Sequence, residues 1–179
     1  MLKTKQSDVT LQRIQKKHLP LVMGWRNSDH VRRWSGQEGL ISEAQQLAWF
    51  ERQDDNTNDR YFSICDRSNW PIGVCGLSNV DMVARRAEFS VYIGKESVGK
   101  GHSIAALSSL FNYGFMYIGL NMIYGFTFMD NEAAQKLFER VGMKQSGCIR
   151  DYYFKRGRFI DAYVYDTTRD DFEKDNPDL

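Results

Sequence analysis

The residues best suited to chemistry lie in one stretch, Glu88-Phe89-Ser90-Val91-Tyr92-Ile93-Gly94-Lys95-Glu96-Ser97-Val98-Gly99-Lys100-Gly101-His102-Ser103. An alternating strand pattern runs into a glycine-punctuated turn, and a helical period opens at about His102. Turn glycines permit positive φ and close approach of the backbone to a ligand. The first N–H groups of a helix have no partner inside it, and the positive end of the helix dipole lies behind them. Such a turn holds a pyrophosphate without a metal. Lys100 adds a point charge. The dinucleotide fingerprint GxGxxG is incomplete here, and the GxxxxGK(S/T) loop is absent. A plain strand–helix connection remains the alternative, and the turn alone does not decide.

A second element follows about 30 residues on, from Asn131 to Met143. Asn131 suits a helix cap, and Gly142 suits the C-terminal stop. Ala134, Leu137, Phe138 and Val141 form the apolar stripe between them.

The scaffold that must position these residues is small. A chain of 179 residues fits one domain, and its 42% apolar share suffices for a single core. With 24 basic and 23 acidic side chains the net charge is +1, which argues against a surface built for nucleic acid. Cys65, Cys75 and Cys148 are widely spaced and have no CxxC pair, so no metal is expected; free buried thiols in a reducing cytosol are. No apolar run follows the N-terminal charges, and no stretch of ~18 apolar residues occurs, so neither a signal peptide nor a membrane partner is expected. These features together read as a cytoplasmic protein.

Strand patterns occur at 9–14, 60–65, 72–77, 86–93, 122–129, 144–153 and 159–165, with helical spacing at 19–27, after Ser42, at 102–117 and at 131–141. Ser42 and Gln45 have capping-box spacing, Asp66 to Asn69 has hairpin-turn chemistry, and Lys155 to Arg158 joins the last two strands. The order predicts a mixed α/β (α+β) sandwich of about seven strands and four helices, not a doubly wound sheet. The domain is expected to span 1–166, with a charged tail at 167–179 that either adds a final helical turn or frays.

The glycine turn and the Asn-capped helix together resemble the GNAT superfamily of N-acetyltransferases, over about Val9 to Asp166. The family's turn reads (Arg or Gln)-x-x-Gly-x-(Gly or Ala); here it is Val98-Gly99-Lys100-Gly101-His102-Ser103. The family's second helix pattern matches Asn131, Ala134, Phe138, Gly142 and Met143. The resemblance implies acetyl-CoA as cofactor. Backbone near Val91 and Ile93 would pair with its pantetheine arm, and the N–H groups of Gly99 to Ser103 would hold its pyrophosphate. Asn131 and Phe138 would line the far side of the thioester channel. Val98 replaces the usual Arg or Gln, Ser103 a smaller residue, and Phe138 a tyrosine that in many relatives protonates the departing thiolate. Phenylalanine has no proton to give. Water, Tyr152, Tyr153 or, ranked below them, Cys148 would then serve.

The implied reaction is direct transfer to a primary amine, which must first lose a proton at neutral pH. Glu88 stands where relatives often carry a catalytic or water-linked glutamate. Its alternative role is a sheet residue paired with Arg85 or Arg86. His30 is a second candidate base, imidazole being the side chain that changes charge near neutrality. The segments around Trp25-Arg26-Asn27, Trp49-Phe50-Glu51 and Arg60-Tyr61-Phe62 resemble amino-sugar N-acetyltransferases of pseudaminic-acid synthesis. That points to a UDP-linked 4-amino sugar, with Arg26, Arg32 or Arg33 forked onto a diphosphate and Trp34 and Trp49 offering ring faces. Arg26, Asn27, His30, Trp34 and Trp49 are thus the expected acceptor residues. Polyamine and ribosomal-protein N-acetyltransferases are the near alternatives; a polyamine site should concentrate acidic residues, and the several arginines of the acceptor region disfavour spermidine. A non-catalytic acyl-CoA-binding module is an alternative of another class. The oligomeric state stays open, a homodimer included.

Overall fold

Seven segments pair into one sheet: β1 (Thr10–Arg13), β2 (Arg60–Cys65), β3 (Pro71–Asp81), β4 (Arg86–Ile93), β5 (Met122–Phe128), β6 (Lys144–Lys155) and β7 (Arg158–Thr168). The computed structural model describes residues 8–37, 39–55 and 58–177. The spatial order is β1-β2-β3-β4-β5-β7-β6. Neighbours are antiparallel except β4 and β5, which run parallel. Six α-helices occur among the described residues: α1 (Leu19–Asn27), α2 (Asp29–Arg32), α3 (Glu43–Asp55), α4 (His102–Asn112), α5 (Glu132–Arg140) and α6 (Arg169–Asp175).

Strand side chains alternate between the two faces of a sheet, and here each face has its own core. Ala87, Phe89 and Ile93 of β4 pack with Leu107, Leu110 and Phe111 of α4, Phe138 of α5 and Phe172 of α6. On the opposite face, Val74 of β3 packs with Leu19, Val22 and Trp25 of α1, and Tyr61, Tyr92 and Trp49 lie against that cluster. Glu88 alternates with Ala87 and Phe89, so it belongs to this second face.

Local chemistry sets the element ends much as the sequence implies. Ser42 and Gln45 form a reciprocal capping box, with Ser42 N–H donating to Gln45 Oε1 (2.9 Å) and Gln45 N–H to Ser42 Oγ (3.2 Å). The β2–β3 turn is closed by Asp66 Oδ1, which accepts from Ser68 and Trp70 N–H. Arg156 and Gly157 both have positive φ, the geometry of a two-residue hairpin loop.

Four features differ from expectation. The third strand continues past Leu77 to Asp81, through a register shift between Ser78 and Asp81. A π-helical turn, Tyr113–Ile118, extends α4. Cys148 is exposed, although Cys65 and Cys75 are buried. Finally, residues 167–177, expected as a charged tail that adds a last helical turn or frays, take the first of these courses and pack onto the domain. Thr167 pairs with Ile123 of β5, Thr168 caps α6, and Phe172 is buried against Phe115. Charge dominates the composition of this segment, and one aromatic residue is enough to dock it. No helix among the described residues is long and apolar enough to cross a membrane.

The docking of α6 makes a testable demand. Phe172→Ala removes a ring that is only 3% exposed and should destabilise the domain by about 3–5 kcal/mol. A thermal melt should show the midpoint falling by roughly 10 °C, given about 2–4 °C per kcal/mol at this chain length; an unchanged midpoint would show that the helix is a dispensable tail.

Candidate active site

The two parallel strands touch only where they begin. Arg86, Ala87 and Glu88 pair with Met122, Ile123 and Tyr124, and beyond them β4 pairs only with β3 and β5 only with β7. The facing edges of Phe89 to Ile93 and Gly125 to Phe128 therefore part, leaving main-chain donors and acceptors that require partners. On the α4 side the Phe89 ring lies over Gly125, where a Cβ would come within 2.4 Å of it. A gap between parallel strands, with backbone groups along its sides, suits an extended amide chain. Val91 and Ile93 belong to the stretch of β4 that does not pair with β5.

At the end of β4 the glycine turn is open. Gly99 and Gly101 have φ of +82° and +76°, and a Cβ at either would meet nothing within 4 Å. Val98, Gly99, Lys100 and Gly101 are all exposed. Gly101 is the N-cap of α4 and offers no side-chain acceptor, and the recorded bonds to its carbonyl begin with Ile104 and Ala105 N–H (3.1 and 3.3 Å). The N–H groups of His102 and Ser103 thus point out of an uncapped helix start, where the dipole favours an anion. His102 also carries a buried Nδ1 with no hydrogen-bond partner among the described residues. These residues fit a diphosphate, as the sequence implies.

Across the gap, Asn131 is 9% exposed and caps α5, its Oδ1 accepting from Ala134 N–H at 3.2 Å. Phe138 corrects an expectation. Its ring is 6% exposed and packs edge-on against Phe89 (4.9 Å) and Tyr165 (5.4 Å), so it fills the core and does not line a channel. A ring without a polar tip gains most by leaving water altogether.

Glu88 occupies the opening of the gap on the α1 face. Neither Arg85 nor Arg86 holds it, since Arg86 faces Asp81. Its partner is Asn79, whose Nδ2 donates to Glu88 Oε2 at 3.0 Å. Asn79 sits in the β3 irregularity with φ of +52°, and its own N–H donates to Asp59 Oδ1 at 3.2 Å. Ser78 Oγ donates to the Glu88 carbonyl at 3.4 Å. The bulge therefore presents an amide to one carboxylate oxygen. The phenols of Tyr61, Tyr124 and Tyr153 feel the Glu88 charge. Burial raises all three above the ordinary tyrosine value, and the carboxylate pushes the same way. Around neutral pH they stay protonated and can donate hydrogen bonds.

Beside Glu88 stands an aromatic wall. Tyr124 meets Phe126 (5.8 Å), Phe126 stacks on Tyr152 (5.2 Å), Phe128 stacks on Tyr153 (3.8 Å), and Trp34 packs edge-on to Phe128 (5.9 Å). Tyr153 is held so far above its usual value by burial that protonating a thiolate, whose ordinary thiol pKa is ~8.5, would be strongly uphill. Its ring stacks on Phe128 and meets Tyr152 edge-on at 4.9 Å. Tyr152 remains the exposed phenol of the wall, at 47%. Cys148 is exposed, and its thiol faces Asp161.

The remaining acceptor candidates separate. Asn27 is consumed by structure: its Nδ2 donates to the Ile41 carbonyl and its Oδ1 accepts from Ile41 N–H, both at 2.8 Å. Its amide clamps the loop that leads into α3, and Oδ1 also accepts from Gln37 Nε2 at 3.4 Å, which leaves one Nδ2 hydrogen for another acceptor. Arg26 and Trp49 line a pocket of about 470 Å³, together with Gln37, Ile41 and Arg52. Trp34 belongs to the aromatic wall and carries the Arg33 guanidinium 5.6 Å above its ring. His30 is half-buried on α2.

Sequence reasoning missed Asn79, Arg52 and the β5 aromatics. For Tyr124, Phe126 and Phe128 the signal was present, because three aromatics at two-residue spacing share one strand face. For Asn79 there was none, since its role depends on a bulge.

Comparison with known proteins agrees with this geometry. A family model described as an acetyltransferase (GNAT) domain matches residues 8–144. An uncharacterised N-acetyltransferase, p20, of Bacillus licheniformis is 32% identical over 107 residues, which span 60% of this chain and 60% of that protein. The spermidine N(1)-acetyltransferase of Vibrio cholerae serotype O1 is 24% identical over 87% of this chain and 90% of its own. A crystal structure of spermidine N-acetyltransferase from Vibrio cholerae, in complex with CoA and spermine, superposes with a TM-score of 0.89 at 22% identity, covering 93% of this chain and 99% of the other. Open glycine turn, parted strands and Asn-capped helix occur here within the matched span, and the chain accordingly belongs to the GNAT acetyltransferase family as an acetyl-CoA-dependent N-acetyltransferase.

Proposed function

We propose that this enzyme acetylates a primary amine of a polyamine-class aliphatic cation. The observation that carries the reading is the aromatic wall from Tyr124 to Trp34 beside the Glu88 carboxylate. Aromatic faces attract ammonium groups and cover methylene chains, and a carboxylate between neutral phenols draws the reacting end. The similarity to spermidine N(1)-acetyltransferase over most of both chains supports the same acceptor class.

Bound acetyl-CoA supplies the activated acetyl group; the chain's own residues prepare the amine. An alkylammonium with a pKa near ~10.4 must lose a proton before it attacks. Glu88 accepts that proton directly or through a water. Asn79 holds Oε2, so the other carboxylate oxygen faces the acceptor. Tyr152 takes the acid role on the leaving side, in place of the tyrosine that Phe138 replaces.

A nucleotide-linked amino sugar is a second reading, favoured by one observation: Arg26, Arg52 and Trp49 share a pocket on the same side of the sheet. The deciding measurement is free-thiol release from acetyl-CoA with spermidine, spermine, a UDP-amino sugar and a peptide N-terminus. The expected kcat/KM is at least tenfold higher for a polyamine than for the other two classes; preference for the nucleotide sugar would exchange the two readings. On the best acceptor Glu88→Gln should lower kcat/KM by about 10²–10⁴-fold with CoA affinity unchanged. Full activity in that variant would remove Glu88 from the mechanism. Asn79→Ala should lower kcat by about tenfold, and Asn79→Asp by more, because it sets a like charge against Glu88; equal rates in wild type and both variants would leave the bulge without a part in positioning the base.

A further inference from the structure

Five arginines have a carboxylate partner among the described residues. Arg67 faces Asp8, Arg86 faces Asp81, Arg156 faces Asp29, Arg158 faces Asp130, and Arg169 faces Glu173. Arg26 and Arg52 make no ion pair or hydrogen bond among the described residues, yet they line one pocket of about 470 Å³ between α1, the loop before α3 and α3 itself. Arg26 is half-buried, and its charge is felt at Tyr61 and Tyr92, where it opposes the upward push of burial on both phenols. Two like charges in one concavity repel each other, and partial burial strengthens the repulsion. Among the described lining residues there is no aspartate or glutamate to offset it.

We infer that this pocket is a second anion site, separate from the glycine turn, and that it takes the phosphate or diphosphate of a small molecule. Guanidinium forks match phosphate oxygens two at a time, so the two arginines can hold one such group between them. Trp49, which meets Tyr61 edge-on at 5.4 Å, gives the same pocket an aromatic side for whatever the phosphate carries. The glycine turn offers main-chain N–H groups, whereas this site offers side-chain cations. The two are therefore separable by mutation. The phosphate can come from the acceptor itself or from a free effector.

Inorganic pyrophosphate titrated calorimetrically into the enzyme already saturated with CoA tests the site, because CoA then occupies the glycine turn. Wild type and an Arg67→Gln control should bind with equal affinity, and Arg26→Gln and Arg52→Gln should each weaken binding by at least tenfold. CoA affinity in each variant reports on folding. Should Arg26→Gln fail to fold, the exposed Arg52 decides alone. No binding to the CoA-saturated wild type, or the same affinity in both pocket variants, would overturn the inference. Steady-state inhibition by pyrophosphate against the fastest amine acceptor assigns the source: competition places the phosphate on the acceptor, and its absence places it on an effector. Neither arm depends on which amine is acetylated, so failure of the polyamine reading leaves the titration intact.

Discussion

Everything in this domain is arranged around the parting of β4 from β5 after Glu88. Two parallel strands that stop bonding to each other leave a row of main-chain groups that would be costly to bury unpaired. The sheet tolerates this because each strand is held from its other side, β4 by β3 and β5 by β7. Phe89 is seated over Gly125 on the core side, so the cleft is floored by a well-packed ring and its mouth stays open. A β-branched or aromatic residue at Gly125 would displace that ring.

The same parting decides where the charge lies. Glu88 is the last residue of β4 to pair with β5, so its backbone is fixed by two neighbours while its side chain faces the opening. Asn79 then fixes one oxygen from a bulge that costs conformational strain, since asparagine at positive φ is tolerated but seldom favoured. Partial burial beside the carboxylate keeps the protons of the Tyr61, Tyr124 and Tyr153 phenols in place. The phenols are held neutral by loss of water.

Much of the scaffold was legible in the sequence because it is set by neighbours in the chain. The capping box at Ser42 and Gln45, the Asn131 cap and the Arg156-Gly157 hairpin loop each depend on residues within a few positions. The glycine turn was legible for the same reason. Roles that depend on a distant partner were not. Asn27 looks like a ligand group until the Ile41 backbone returns to both ends of its amide. Phe138 lies on the apolar stripe of α5, and that periodicity located it better than the family pattern did, because Phe89 and Tyr165 close over the ring. The segment after Asp166 reads as solvated charge, yet Phe172 is drawn into the core by Phe115, some 57 residues earlier in the chain.

The acceptor face combines two opposite environments, and their order along the sheet resolves the apparent conflict. Trp49 and Arg26 lie toward α1 and α3, the aromatic wall lies over β5 and β6, and Tyr61 and Glu88 stand between. An ammonium arriving here is repelled by the guanidiniums and attracted by the carboxylate and the ring faces. Screening limits such fields to about 8–10 Å in physiological salt, so they act only once the acceptor is at the surface. Within that range the gradient selects orientation: a cationic chain extends along the aromatic side, and any anionic group extends the other way. On the proposed reading, the direction from which an amine would reach Glu88 is set by charge before any specific contact forms, so arginines beside the site are compatible with an amine acceptor.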